Sequence, residues 1–366
     1  MRILHIHPSL KTGGIESMIN GLANEMSKNN DVFVCSIFEQ NDNNIYWRTL
    51  SPKVSKISLG KKNKGFSLSE IIKIYNYIRK GNFDVVNIHG FFHYYFLAVL
   101  LLHKKTRFFY TVHSDAKMEN TPWEWRIFKL KKMSFSKGWI RPITISNESQ
   151  KSFETLYQCR SHLIPNGIPI PQVNHTQKKI INKFRFSPST KILINIGRID
   201  TPKNQIVLCD SVQYLVNKGY DIVLLIAGPI AKNDIFEEIK KRLNNRIIYL
   251  GEIHNAPDFF SECDAFVMPS IWEGLPITLL EAMSVGCIPI CSPVGGIPNV
   301  VLDEKNGFLS ESASFEDFTR TLKRYLSASE SIIHEIKYNA YHDFVEKYTI
   351  QTTVAEYIQY YSNHQS

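Results

Sequence analysis

The chain has 366 residues, 43% of them hydrophobic and 21% charged, which excludes a disordered polymer and fits about two domains of ~100–200 residues each. Its formal charge of +9 divides unevenly, +12 over residues 1–170 and −3 over residues 171–366. No repeat period or low-complexity tract is present, which argues against a solenoid or propeller. The opening RILHIHPS predicts a buried strand, Lys11–Gly14 a turn, and Ile15–Lys28 a helix with Ile15, Met18, Ile19 and Leu22 on one face. Asp31–Phe38 predicts a second strand. Ser67 and Glu70 form a capping-box pattern that opens a helix over about Leu68–Lys80. Asp84–His89, Arg107–His113 and Pro142–Ser146 predict further strands, and His162–Pro165 a short one. Strands alternating with helices imply an α/β layer fold with a mostly parallel sheet. The proline-rich Ile168–Pro171 and the polar stretch after it mark a domain boundary.

The pattern then restarts. Lys191–Ile196, Asp221–Ala227, Arg246–Leu250, Ala265–Pro269 and Ile288–Cys291 predict strands. Asn204–Lys218, Asp234–Leu243 and Pro276–Val285 predict helices, the last with proline in its first turn. From Ser314 onward the chain reads as helical. Two tandem α/β domains suggest ligands held between them, at the C-terminal ends of the strands.

The basic half is clustered: Lys53, Lys56, Lys61, Lys62 and Lys64; then Lys104, Lys105 and Arg107; then Pro122–Arg141. The last segment mixes Trp123, Trp125, Phe128 and Trp139 with Arg126, Lys129, Lys131 and Lys132. It reads either as a surface for an anionic membrane or as a core-packing helix with a solvated basic face. No nucleic-acid-binding pattern accompanies the charge. The longest apolar run, Phe91–Leu102, is shorter than the ~20 residues needed to cross a bilayer, and the start lacks the apolar stretch of a cleavable leader. A soluble or peripheral protein is expected. Six cysteines without a CxxC pair read as reduced, buried thiols of a cytosolic protein.

Four features carry candidate chemistry. Gly13-Gly14 lies between a strand and a helix N-terminus, where free N–H groups and the helix dipole attract an anion; a plain tight turn is the alternative. Gly197-Arg198 to Gln205 again follows a strand and precedes a helix. Arg198 supplies a planar fork and Lys203 a mobile point charge, a pairing suited to a diphosphate, or else two surface cations. In Trp272–Glu281, Glu273 sits in a loop beside Gly274 and Leu275, and Glu281 lies in an apolar helical stretch. Burial there demands a partner, met by sugar or ribose hydroxyls or by a structural ion pair. His113 ends a strand and faces the expected cleft, with His89 in an equivalent place, whereas His5 and His7 read as core. No D-x-D pair, P-loop or GxSxG elbow is present.

Taken together these stretches resemble the retaining GT-B glycosyltransferases of family 4. The matching segments are GGIE (13–16), TVHSD (111–115), ITIS (143–146), LIPNGI (163–168), NIGRIDTPKN (195–204), LLIAGP (224–229) and YLGEI (249–253). The long run from Met268 to Val301 and the NGFL of 306–309 complete the set. Where the family often carries Gly-x-Gly, this chain has Gly228-Pro229-Ile230.

The resemblance implies an α/β fold of two Rossmann-like domains facing across a cleft. Residues 1–170 would bind acceptor, 171–345 would bind the nucleotide-sugar donor, and a helix over 346–366 would cross back to the N-terminal domain. It implies catalytic roles for Arg198, Lys203, Glu273 and His113, and donor binding by Gly13, Gly14, Gly197, Gly274, Leu275 and Glu281. Arg198 and Lys203 would hold the diphosphate, Gly14 a phosphate through its backbone, Glu281 the ribose, and Glu273 and His113 the sugar. The implied activity is retaining transfer of a hexosyl group from a UDP-sugar, or second a GDP-sugar, with no metal and no other cofactor. The acceptor would be a saccharide or an isoprenoid-diphosphate-linked saccharide at the inner membrane face, in capsule, O-antigen or exopolysaccharide assembly. A GT-B epimerase, a phosphorylase-like enzyme or a non-catalytic sugar-nucleotide-binding partner are the other readings.

Overall fold

The computed structural model describes residues 1–11, 13–41, 43–62, 65 and 67–363. Thr12 of the expected turn, Lys64 of the first lysine cluster and residues 364–366 of the expected final helix lie outside them. The chain divides into two compact units, Met1–Pro169 with Ile350–Ser366, and Ile170–Thr349.

The first unit is built on seven parallel strands: β1 (Arg2–His7), β2 (Asp31–Phe38), β3 (Ser55–Lys61), β4 (Val85–Ile88), β5 (Arg107–Val112), β6 (Ile140–Thr144) and β7 (His162–Leu163). Their order is β3-β2-β1-β4-β5-β6-β7. The central strands are apolar along their length because helices cover both faces. Leu4 and Ile6 of β1 enter a core with Ile71, Ile74 and Ile78 of helix Leu68–Gly81. Ile3, from the same strand, points the other way, into a core with Met18, Ile19 and Leu22 of helix Gly14–Met26. Helix Ile350–Ser362 completes that second core, burying Ile350, Tyr357 and Tyr361 beside Phe109. Arg107 fastens it by donating from Nη1 to the Tyr361 carbonyl at 2.5 Å.

β3 is the strand the pattern conceals. Its sequence SKISLGK presents lysines along a sheet edge, a usual protection against edge-to-edge pairing. Ile57 and Leu59 pack inward, while Lys56 donates to the Trp47 carbonyl at 3.1 Å. The basic segment after Pro122 is also not one helix. It splits into Pro122–Arg126 and Phe128–Ser136 at Ile127, and β6 begins at Ile140. Lys131, expected on a solvated face, is instead buried.

The second unit has six parallel strands: β8 (Lys191–Ile196), β9 (Ile222–Ala227), β10 (Ile247–Tyr249), β11 (Ala265–Met268), β12 (Ile288–Cys291) and β13 (Phe308–Leu309). Their order is β10-β9-β8-β11-β12-β13. The core joins Leu193, Leu224 and Val267 to helix residues Leu208, Val212, Phe318 and Leu322. Helix Glu330–Lys347 runs past the expected boundary at 345 and belongs to this unit, so the chain passes to the first unit between Thr349 and Ile350. All six cysteines are free, and five are buried. No helix among the described residues is long and apolar enough to cross a membrane.

Candidate active site

Strand order reverses between β1 and β4 in the first unit and between β8 and β11 in the second. In sheets of this kind the loops leaving the carboxyl ends of such strands hold the ligand. Gly13 and Gly14 follow β1, Gly197, Arg198 and Lys203 follow β8, and Glu273, Gly274 and Leu275 follow β11, whereas Glu281 lies on the next helix and His113 follows β5, one strand beyond the switch point.

In the second unit, Gly197 and Arg198 leave β8. Asp200 caps the turn Thr201–Lys203, its carboxylate accepting from the Thr201 N–H at 2.8 Å. The next turn is pinned by Asn204, in the left-handed region at φ 56°. Its amide donates to the carbonyls of Pro269 (3.0 Å) and Ala313 (2.9 Å). Lys203 is thereby held against the loop after β11, where its Nζ donates to Glu273 Oε1 at 2.6 Å. The same oxygen accepts from Ser270 Oγ at 2.7 Å. Lys203 and Glu273 are both largely buried, so the pair is poorly screened and oriented. Arg198 is exposed, and its guanidinium has no ion pair among the described residues. Its backbone is fixed by buried Gln205, which donates to the Arg198 carbonyl at 2.9 Å.

Two glycines let these loops touch. At Gly228 (φ 137°) a Cβ would stand 2.1 Å from the Gly197 carbonyl oxygen. At Gly295 (φ 59°) it would stand 2.0 Å from the Glu273 carbonyl oxygen. Gly274 accepts from the Gly296 N–H at 2.6 Å, and Leu275 is buried. Glu281 lies on helix Ile277–Met283, and its carboxylate has no hydrogen-bond partner among the described residues. The residue is half-buried rather than buried, and desolvation raises its pKa to about 7. A carboxylate left uncompensated in a protein interior is costly unless a ligand donates to it.

In the first unit, Gly13 caps helix Gly14–Met26 without any side-chain bond to the free N–H groups. A Cβ at Gly13 would meet Glu16 Oε2 at 2.5 Å, so the glycine makes room for that carboxylate. Glu16 Oε1 lies 3.9 Å from His7 Nε2. His113 follows β5 and is buried, and burial lowers its pKa to about 3. Its Nε2 lies 2.9 Å from His89 Nδ1, and His89 Nε2 lies 3.2 Å from His5 Nδ1. His5 is buried, as expected of a core residue, and His7 is half-buried; both bond to His89.

Sequence reasoning passed over two further carboxylates. Glu119 Oε1 accepts from the N–H groups of His113 (2.5 Å) and Ser114 (2.8 Å), fixing the turn that carries His113. Burial raises the Glu119 pKa to about 7. Glu124 is fully buried and accepts from the N–H groups of Phe92 (2.8 Å) and Thr121 (2.9 Å). Lys131 Nζ sits 3.4 Å from Glu124 Oε1 and donates to Asn120 Oδ1 at 2.9 Å. This knot ties the loop after β4 to the one after β5. The capping box of Thr121 and Glu124 was the available signal.

Residues 12–171 match the family described as Glycosyltransferase Family 4, and residues 176–343 match Glycosyl transferases group 1. The chain belongs to glycosyltransferase family 4. Among curated relatives it is 27% identical over 215 residues to the UDP-Gal:alpha-D-GlcNAc-diphosphoundecaprenol alpha-1,3-galactosyltransferase of Escherichia coli. That alignment covers 54% of this chain and 54% of the relative, so the chain spans about half the length of that enzyme. It is 24% identical over 344 residues to the capsular polysaccharide biosynthesis glycosyltransferase CapH of Staphylococcus aureus, covering 91% of this chain and 92% of CapH. Anabaena Alr3699/HepE, solved in complex with UDP, superposes with a TM-score of 0.80 at 19% identity, over 99% of this chain and 100% of HepE. The family-4 chain therefore has the GT-B fold.

Proposed function

We propose that this family-4 protein transfers a hexosyl group, with retention, from a nucleotide-diphosphate sugar to an acceptor hydroxyl in bacterial surface-polysaccharide assembly. The observation that carries the reading is the arrangement after β8 and β11. There a free Arg198, an oriented Lys203–Glu273 pair and an unpartnered Glu281 share the loops and helix of one sheet end. Two cations suit a diphosphate, and a carboxylate without a protein donor suits ribose hydroxyls. As the glycosidic bond breaks, negative charge grows on the diphosphate, and Arg198 and Lys203 stabilise it, Lys203 from a position already fixed by Glu273. Their two positive charges take the place a divalent cation holds in other sugar-nucleotide sites, so no metal is required. UDP is the favoured base and GDP the second, in keeping with the UDP-Gal of the named E. coli relative.

The acceptor is a saccharide or isoprenoid-diphosphate-linked saccharide held by the first unit, which carries the excess positive charge. Exposed Trp123, Trp125, Met118 and Met133 beside Arg126, Lys129 and Lys132 support peripheral binding to the inner face of an anionic membrane. Trp125 stacks on Phe128 with centroids 5.3 Å apart, and Arg126 lies 4.4 Å over the Trp123 ring, so the aromatics are held in place.

A stability panel of UDP, GDP, ADP and their sugar conjugates in EDTA tests the donor assignment. At ~100 times its dissociation constant a ligand stabilises by about 2.7 kcal/mol. One nucleotide stabilising the wild type and not Lys203→Ala is expected. With the selected donor, Lys203→Ala should also lose roughly 10²–10³ in turnover. No shift with any nucleotide, in folded protein, would overturn the reading.

A further inference from the structure

Three of the four buried histidines among the described residues, His5, His89 and His113, form a chain with a thioether at its far end. His5, His89 and Met26 are all within 1% of complete burial, and His113 is 7% exposed. From one end the contacts run Met26 Sδ to His5 Nε2 (3.4 Å), His5 Nδ1 to His89 Nε2 (3.2 Å), and His89 Nδ1 to His113 Nε2 (2.9 Å). The rings of His5 and His89 stack with centroids 5.5 Å apart, and those of His89 and His113 at 5.2 Å. We propose that His5, His89 and Met26 are positioning residues that lock His113 in one tautomer, presenting Nδ1 to the ligand as a hydrogen-bond acceptor. The functional part of this rests on the reading of His113 as a sugar-facing residue.

The argument is one of proton counting. A contact between two imidazole nitrogens needs one N–H and one bare nitrogen. A neutral ring carries a single proton, so it passes the direction of donation on to its neighbour. Burial keeps all three rings neutral, with the His5 pKa lowered to about 4 and that of His89 well below its usual value. The direction is then set at the end. A thioether sulfur can only accept, so His5 Nε2 carries the proton and donates to Met26. His5 Nδ1 is bare and accepts from His89 Nε2–H. His89 Nδ1 is bare in turn and accepts from His113 Nε2–H. His113 Nδ1 is left without a proton, and no described protein group bonds it. The opposite direction would face a bare His5 Nε2 against sulfur lone pairs in a dry site, leaving a buried polar atom unsatisfied.

His7 stands outside the chain. Its Nδ1 lies 2.9 Å from the His89 carbonyl, an acceptor, so that nitrogen donates and holds the His89 backbone. Glu119 holds the His113 backbone on the other side. The ring of His113 therefore has a fixed place and a fixed proton. A group meeting Nδ1 must donate, which fits a sugar hydroxyl and disfavours the carboxylate of a uronic acid.

Histidine-labelled full-length protein, read by long-range ¹H–¹⁵N correlation from pH 6 to 8 and assigned by single variants, reports the proton on each ring. Neutral Nε2–H rings at His5, His89 and His113 are expected. An Nδ1–H at any of the three, or a titration in that range, overturns the chain. Met26→Leu keeps the volume and removes the acceptor, so the two directions become comparable. It should give mixed tautomers at His113 and about twofold lower turnover of the donor selected above, with UDP affinity unchanged. His89→Leu should lose roughly 10–100-fold in turnover, the range for an outer residue that orients a site group. His89→Gln, whose amide both donates and accepts, should recover most of it. Equal losses in Leu and Gln would show a merely structural role and overturn the proposal. Full turnover in His113→Ala, with the expected tautomers intact, would instead overturn the reading of His113 as a site residue.

Discussion

Replacing Glu281 by glutamine should make the protein more stable and less active, with a pH dependence that follows from burial. The carboxyl has a raised pKa of about 7 against a model-peptide value of 4.5. Below pH 4.5 the carboxyl is protonated in folded and unfolded chains alike and the substitution should be neutral. Between 4.5 and 7 the folded protein holds a proton that the unfolded chain releases, so wild-type stability falls as pH rises. At ~1.36 kcal/mol per pH unit the interval of ~2.5 pH units amounts to at most about 3 kcal/mol for this half-buried group, approached near pH 7 and constant above it. Glutamine carries no charge and escapes this penalty. For a domain of this size ~1 kcal/mol corresponds to roughly 2–4 °C in melting temperature. Glu281→Gln should therefore melt higher at pH 8, by up to roughly 6–12 °C, and at an unchanged temperature at pH 4.5. Calorimetric scans of both proteins at pH 4.5, 6, 7 and 8 measure this directly. Saturating UDP should narrow the gap at pH 8, because ribose hydroxyls donating to the wild-type carboxylate offset its burial. A variant less stable than wild type at pH 8, or a difference independent of pH, would refute the picture of an unpartnered, desolvated carboxylate.

Other perturbations probe the supports of the candidate residues in each unit. Gly228→Ala should cost at least about 1–3 kcal/mol in backbone strain and abolish stabilisation by UDP, since its Cβ would stand 2.1 Å from the Gly197 carbonyl. Gly251→Ala, also at positive φ but with nothing within 4 Å, should show the strain alone and keep the response to UDP. Lys131→Met should lower stability by about 3–5 kcal/mol by stranding the Glu124 carboxylate, and adding Glu124→Gln should restore much of it. A double variant as unstable as the sum of the single ones would refute the pairing. Trp123→Ser with Trp125→Ser should reduce co-sedimentation with vesicles containing phosphatidylglycerol and leave UDP binding intact. Unchanged sedimentation would move the membrane contact elsewhere.

Much of the fold was legible because buried parallel strands write themselves as apolar runs, as in KILINI and DIVLLIA. β3 was not, because an edge strand is protected by the same lysines that suggest a binding cluster. β13 has two residues and leaves no period to read. Helix Asn147–Tyr157 was missed although Ser146 and Ser149 cap it reciprocally, a serine pair being a weaker signal than serine with glutamate. The candidate residues themselves were legible as types at strand ends, with Glu281 on a helix. Their partners were not: Lys203 meets Glu273 across 70 positions, and His5 meets His89 across 84. Lys131 shows the limit most plainly, since one lysine among five basic neighbours gives no sign that it alone turns inward to Glu124 and Asn120.

The return of helix Ile350–Ser362 to the first unit bears on the order in which the protein can be made. Residues 170–349 are contiguous and can fold as soon as they leave the ribosome. The first unit cannot complete its core then, because Tyr357 and Tyr361, fully buried in one cluster with Met18, Leu22 and Phe109, are translated after the whole second unit. Until then one face of the first sheet is only partly covered, by helix Gly14–Met26, through the synthesis of some 180 further residues. The nascent chain therefore passes through a stage in which its later half is native and its earlier half is open to chaperones. Maturation of the first unit becomes a report that the second has already been completed.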